Sequence, residues 1–253
     1  MRRGSWKIRI LIGLAIVAFA FIKRCNSKET NEYTGRVQTI NMTAEQEIAI
    51  GLQSAPEMAQ QHGGLYPDER LQTFVDAVGQ KLVNNSMARE TPYKYDFHLL
   101  ADDQTINAFA LPGGQCFITY ALFSKLNEAQ LAGVMGHEIG HVIGRHSAER
   151  IAESDFWRTL SMGASVGGDM GGLVSGIGQN TLLTNGRDDE LESDDLGVLL
   201  MIRAGYDPRE MIKVMEILKG AAGPNRVPEF QSTHPDPENR IEKIKEAIAK
   251  YGG

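Results

Sequence analysis

The sequence predicts a predominantly helical α+β domain with one small β-sheet. Three observations carry that expectation. Apolar residues recur at helical spacing through most of the chain beyond Thr43. Strand-like character is confined to Tyr93–Leu100 and to the stretch that opens at Thr105, which is broken by a Pro112-Gly113-Gly114 turn. No internal repeat is present.

The amino terminus differs from the rest. "MRRGSWKIR" is basic, and Ile10 to Ile22 is an unbroken apolar run of thirteen residues. A membrane span needs about 17–25, a length approached only by adding Ile8 and tolerating Arg9. Two readings compete. Ala18-Phe19-Ala20 resembles a small-x-small signal-peptide cleavage site. An uncleaved anchor would instead hold Arg2, Arg3, Lys7 and Arg9 in the cytoplasm. Either one exports the remainder of the chain. The expected organisation is a signal or anchor over residues 1–25, a polar linker over 26–42, and one folded domain over 43–253.

Thr43, three residues before Gln46, has the capping-box pattern and should open a helix. "DERLQTFVDAVGQKLVNN" carries Leu71, Phe74, Val75, Val78 and Leu82 at helical spacing. Tyr93–Leu100 reads as a strand, and "TINAFALPGGQCFITYALF" as strand, turn, strand and the start of a helix. One helix is expected from Glu128 to about Arg150. The Gly-rich stretch Ser161–Asn180 is either closely packed helix surface or a mobile flap, because each Gly costs a helix about 1 kcal/mol. Further helices are expected in "DDELESDDLGVLLMIRAG", closed by Gly205, in "PREMIKVMEILKGAA", and at the carboxyl end.

With 253 residues, 42% hydrophobic and 23% charged, the chain can bury a substantial core without disulfides. A net charge of −6 argues against nucleic acid as a partner. Two cysteines, Cys25 and Cys116, supply neither a disulfide framework nor a thiolate zinc cluster, and both are expected to be unpaired. Any metal must therefore rely on His and carboxylate.

"VMGHEIGHVIGRHSAER" answers that requirement. His137 and His141 are four residues apart, so on a helix both face one way and can converge on one ion. Glu138 lies beside that face, where a carboxylate can take a proton from a metal-bound water; this is the logic of the HExxH zinc motif. Neighbouring Ala132, Gly133, Gly136, Ile139, Gly140, Val142 and Ile143 make the helix apolar or small all round. Such a helix is buried, and buried imidazoles need partners. His146 is rotated away from the His137/His141 face and is one position early for a third histidine ligand. "DELESDD" offers a carboxylate instead: Glu190 and Asp194 share a face, and Glu192 points elsewhere. If Glu190 binds the ion, Asp194 can accept the remaining ring N–H of a ligand histidine and fix its tautomer.

These residues resemble the CaaX-type zinc endopeptidases, a family that includes membrane heat-shock proteases and periplasmic outer-membrane quality-control proteases. "HEIGHVIGRH" is similar to its HExxHxxxRH, "ELESD" to its ExxxD with Ser193 in place of the usual Ala, "NAFALPGG" to the segment before the active helix, and "STHPDPENRI" to a late His-Pro motif followed by Arg. Having only one long apolar segment, the chain resembles the exported branch. The resemblance implies a zincin-type fold and one Zn2+ per chain, held by His137, His141 and Glu190. It implies Glu138 as the catalytic acid–base and Asp194 behind a ligand histidine. His234 becomes a fourth ligand or transition-state stabiliser, and Arg240 fixes the His-Pro loop or polarises a carbonyl. Asn107, Ala108 and Phe109 become the strand edge that pairs with an extended polypeptide substrate. Misfolded envelope proteins are the implied substrates. A mainly latent chaperone or scaffold with a His-blocked zinc, and a zinc hydrolase of small amides, are the alternatives.

Overall fold

The computed structural model describes residues 3–168, 170–221, 230, 234 and 239–252. In chain order the elements are α1 (Arg3–Asn26), β1 (Lys28–Thr30), β2 (Val37–Thr39), α2 (Ala44–Gln61), α3 (Glu69–Asn84), a 3-10 turn at Met87–Glu90, β3 (Asp96–Leu100), β4 (Ala108–Ala110), β5 (Gln115–Thr119), α4 (Tyr120–Phe123), α5 (Glu128–Ile143), α6 (His146–Gly168), α7 (Gly171–Arg203), α8 (Glu210–Ala221) and α9 (Arg240–Tyr251). They fall into two units, one of Met1–Met42 with His146–Gly186, the other of Thr43–Arg145 with Arg187–Gly253.

In the first unit α1 lies along α6. The polar stretch after α1, expected as a linker, instead carries a two-stranded antiparallel ladder with Lys28 opposite Thr39 and Thr30 opposite Val37. Side chains close it. Asn31 Oδ1 accepts from the Tyr33 and Thr34 N–H groups at 2.9 and 3.2 Å, an Asx turn, and Asn31 Nδ2 donates to Gln38 Oε1 at 3.1 Å. Gln38 in turn donates to Glu149 of α6 at 3.0 Å. Among the described residues no helix is long and apolar enough to cross a membrane. Cys25 and Cys116 are both free thiols, as expected.

The second unit is built on a three-stranded sheet in the order β3-β5-β4, with β3 parallel and β4 antiparallel to β5. Leu100, Phe109 and Phe117 form a buried cluster on it, with the two phenylalanine rings stacked 4.9 Å apart. The Thr43–Gln46 capping box forms at the start of α2. That helix rests on the Pro112–Gly114 turn so closely that a Cβ at Gly113, where φ is +83°, would meet the backbone of Ile48 at 2.3 Å. Only Gly satisfies both conditions.

Two helices replace the single one expected from Glu128 to Arg150. α5 stops at Ile143, Arg145 takes a left-handed φ of 56°, and α6 starts at His146. A left-handed non-Gly residue costs about 1–3 kcal/mol and must be held. Glu47 on α2 holds it, accepting from Arg145 Nε at 2.9 Å and Nη2 at 2.6 Å. Helix spacing alone does not reveal that long-range pair. The Gly-rich stretch is helical over Ser161–Gly168 and from Gly171 onward; Gly163 and Gly171 meet neighbouring atoms closely, whereas Gly168, Gly172 and Gly176 face open space.

Candidate metal centre

Asn127 caps α5 and forms a capping box with Gln130, fixing where the helix begins and hence which residues face inward. Every residue from Gln130 to Gly140 is buried. The glycines set how near α7 can come. A Cβ at Gly140 would lie 2.9 Å from the Ser193 carbonyl oxygen and 3.0 Å from its Cα, and one at Gly136 would lie 3.3 Å from the Gly197 oxygen. Near contact of the two backbones brings the carboxylates of α7 to the histidines of α5.

His137 and His141 do share a face, with their Nε2 atoms 3.1 Å apart. Glu190 reaches both: Oε2 is 3.2 Å from His137 Nε2, and Oε1 is 3.3 Å from His141 Nε2. His234 Nδ1 lies 3.4 Å from His137 Nε2 and 3.1 Å from Glu190 Oε1. One donor atom from each of the four residues lies within 4.8 Å of the others. Donors at tetrahedral corners about 2.0–2.1 Å from a zinc ion are about 3.3–3.4 Å apart. The close distances here match that edge, so the set fits a small tetrahedral divalent ion.

The surrounding groups are consistent with this. His137 Nδ1 faces Asp194 Oδ1 at 2.9 Å. Donation there leaves Nε2 with its lone pair toward the cluster. Arg240 donates to the same carboxylate through Nε at 2.6 Å and Nη2 at 2.9 Å, and its Nη1 lies 3.3 Å from Glu190 Oε2. The guanidinium is thus engaged by two carboxylates and 5% exposed. His234 Nε2 donates to the Ala108 carbonyl at 3.1 Å.

Glu138 is fully buried, and among the described residues neither of its carboxylate oxygens has a hydrogen-bond partner. His234 Nε2 lies 3.6 Å from its Oε1. A buried orphan carboxylate is costly and points to a reaction partner. Burial pushes its pKa up, against the opposing charges of His234 and His137. Burial also works to raise Glu190, but the charges of His234, His141 and His137 outweigh it and hold the carboxyl well below its ordinary value. For His137 burial favours the neutral ring, yet Glu190 and the Asp194 bond raise the pKa to about 9 in the absence of a metal ion.

The remaining expected site residues lie on the edge of the sheet. β4 is an outer strand. Asn107, just before it, is buried and spends its backbone on Thr119, whose hydroxyl it meets at 3.1 Å and whose N–H it accepts at 3.0 Å. Phe109 gives its ring to the core. Phe230 was not singled out by any motif. Its ring stacks on His234 at 4.3 Å, and its N–H donates to the Ile106 carbonyl at 3.3 Å. Spacing to His234 is the sole signal for it in the sequence. Of the His-Pro motif, Ser232, Thr233 and Pro235 to Glu238 lie outside the described residues.

The sequence pattern described as Peptidase family M48 matches residues 69–248. The beta-barrel assembly-enhancing protease of Escherichia coli (strain K12) is 32% identical over 192 residues, 70% of this chain and 39% of that protein. Its counterpart in Yersinia pestis is 30% identical over 215 residues, 79% and 43% of the respective chains. The mitochondrial metalloendopeptidase OMA1 of Schizosaccharomyces pombe is 36% identical over 157 residues, 60% and 46%. The chain thus spans less than half the length of these curated relatives. The family pattern covers α3 to α9 and so includes all four clustered donors together with Glu138, Asp194 and Arg240: the chain belongs to peptidase family M48, whose members are metal-dependent peptidases with a zincin-like domain.

Proposed function

We propose that this chain is a zinc-dependent endopeptidase of the exported, periplasmic quality-control branch, acting on misfolded envelope proteins and held at the inner membrane through residues 8–22. The observation that carries the reading is the pairing of four converged donors with an orphaned, fully buried Glu138 beside them. His137, His141 and Glu190 hold the ion in this reading. When bound, zinc supplies Lewis acidity and brings the pKa of a water toward 7. Glu138, whose burial raises its proton affinity, takes a proton from the attacking water and returns one to the leaving amine. Asp194 keeps His137 in the tautomer that presents Nε2, and Arg240 keeps Asp194 in place. In this role Arg240 is a positioning residue and not a donor to the substrate carbonyl, because its fork is already engaged. The outer edge receives the extended peptide backbone at Ala108, between Asn107 and Phe109, whose own backbones face β5. That the relatives named above are proteases supports the reaction class, and that the bacterial ones are beta-barrel assembly-enhancing proteases supports a place in the cell envelope.

A second reading has its own observation. His234 Nδ1 occupies the fourth corner of the cluster while its Nε2 takes the Ala108 carbonyl, and Phe230 takes the Ile106 carbonyl. The chain's own segment therefore uses one acceptor of the strand that would bind substrate, Ala108, and another just before it, Ile106. A resting protein of this form is latent and can act as a chaperone or scaffold. Glu138→Gln separates the two readings. Loss of casein cleavage with stoichiometric zinc retained supports the enzyme, whereas unchanged biological rescue by that variant supports the chaperone.

A further inference from the structure

The apolar run Ile10–Ile22 contains no polar side chain, so α1 is apolar on every side there. A helix of that kind belongs in a core or in lipid. Only one stripe is covered: Gly13, Ile16 and Val17 meet α6. The remainder stands out, with Leu11, Leu14, Phe19 and Ile22 each at least 60% exposed. The exposure continues onto the neighbouring helices at Met162 and Leu173. Among the described residues, all but four of the exposed large apolar side chains belong to this unit, so the feature is not a general property of the surface.

The helices join in a manner suited to an apolar solvent. A Cβ at Gly13 would lie 2.7 Å from the Gly163 oxygen and 2.9 Å from Gly167 Cα, so α1 seats its backbone on a small-xxx-small pair. α6 and α7 are tied by Ser161, which donates to the Gly171 carbonyl at 2.9 Å and lies 3.0 Å from the Ser175 hydroxyl. Without hydrophobic drive, helices associate through just such small residues and serine hydrogen bonds. Arg24 pairs with Glu153 at 3.2 Å and Phe21 meets Phe156 at 5.4 Å, which fixes an antiparallel register. The α6 stretch Thr159–Gly168, free of ionisable side chains, therefore runs beside the apolar run of α1. Gly171–Gly186 is equally free of them. At 1.5 Å per residue the run is about 18 Å long, short of a core about 30 Å thick. The cations at its two ends, Lys7 and Arg9 at one and Lys23 at the other, can therefore reach the anionic headgroups of one leaflet while the apolar face sinks into its acyl layer. α1 itself has no acid.

We propose that α1, α6 and the start of α7 enter a bilayer containing anionic phospholipid as one cluster. Membrane attachment is then a property of three helices from two distant stretches of the chain, packed through Gly163, Gly167 and Gly171. The inference rests on the membrane tether proposed above and adds α6 and α7 to it. The test uses the full chain with Cys25→Ser, leaving buried Cys116 unreactive. An environment-sensitive NBD label is placed in turn at Leu14→Cys, Leu173→Cys and, as a control, Phe74→Cys. Vesicles of phosphatidylcholine with phosphatidylglycerol are added. The expected result is a severalfold brightening at positions 14 and 173, quenched by nitroxide lipid, with position 74 unchanged. Brightening at 14 alone overturns this inference and leaves the tether; silence at both overturns the tether as well. Concentration-dependent brightening at 173 without vesicles shows a second copy on this face and also overturns it. Peptidase activity is not read, so failure of the metal site leaves the result intact.

Discussion

Arg240 grips Asp194 with two prongs, Nε on Oδ2 at 2.6 Å and Nη2 on Oδ1 at 2.9 Å, while the same carboxylate meets His137 Nδ1 at 2.9 Å. The carboxylate is thereby positioned from the carboxyl-terminal helix and transmits that position to a histidine of α5. Breaking such an outer contact costs metal proteins about 10–100-fold in affinity or activity. Arg240→Lys keeps the charge and loses the fork. We expect it to weaken zinc retention within that range, measured by chelator competition, with little change in KM. A KM rise at unchanged zinc affinity would instead place Arg240 on the substrate.

Glu138→Gln should lower casein cleavage by about 10²–10⁴-fold, the usual contribution of a general acid–base. Zinc content by atomic absorption should stay at one ion per chain. Loss of the ion together with activity would move Glu138 from proton transfer to the support of the site.

His234→Ala removes the group that faces Glu190 and takes the Ala108 carbonyl. Freeing that acceptor on the edge strand should raise cleavage of an unstructured protein severalfold at fixed zinc. A fall of tenfold or more would show that the ring works in the reaction and does not cover the site.

Gly140→Ala tests the approach of α5 to α7. Its new methyl would lie 2.9 Å from the Ser193 oxygen. Overpacking of this kind costs about 1–3 kcal/mol. For a chain of this size that lowers the melting temperature by about 2–4 °C per kcal/mol. Zinc retention should fall in parallel, because Glu190 rides on the displaced helix. Gly133→Ala, whose nearest neighbour is 3.5 Å away, should do neither.

Asp102 gives a stability signal away from the metal. Burial works to raise its pKa, but bonds from Thr105, His62 and Gln104 bring it down to about 2. A carboxylate depressed in the folded state adds stability that is complete above its unfolded value, about 3.9, and lost as pH falls through the folded one. The side chain is 15% exposed, so solvent screening trims the effect to about 1–2 kcal/mol. Asp102→Asn should be less stable by that amount at pH 7 in urea melts. The gap should close as pH approaches 2; a constant gap would assign the loss to packing.

Local chemistry made several features readable along the chain. The Thr43 capping box, the turn at Pro112–Gly114 and the common face of His137 and His141 each depend on residues within four positions of one another, where chain geometry dictates who meets whom. The pairing of Glu190 with Asp194 is legible for the same reason. Tertiary structure alone decided the rest. Helix spacing ran on through Arg145, but a carboxylate 98 positions away, on Glu47, captures that side chain and ends the helix. Arg240 could be matched to a motif, yet its commitment to Asp194 depends on how α9 meets α7. The exposed apolar face of α1 and its seat on Gly163 and Gly167 emerge only once segments 150 residues apart in the chain lie side by side. Contacts of that range are chosen by packing and charge in the folded state, to which spacing along the backbone is blind.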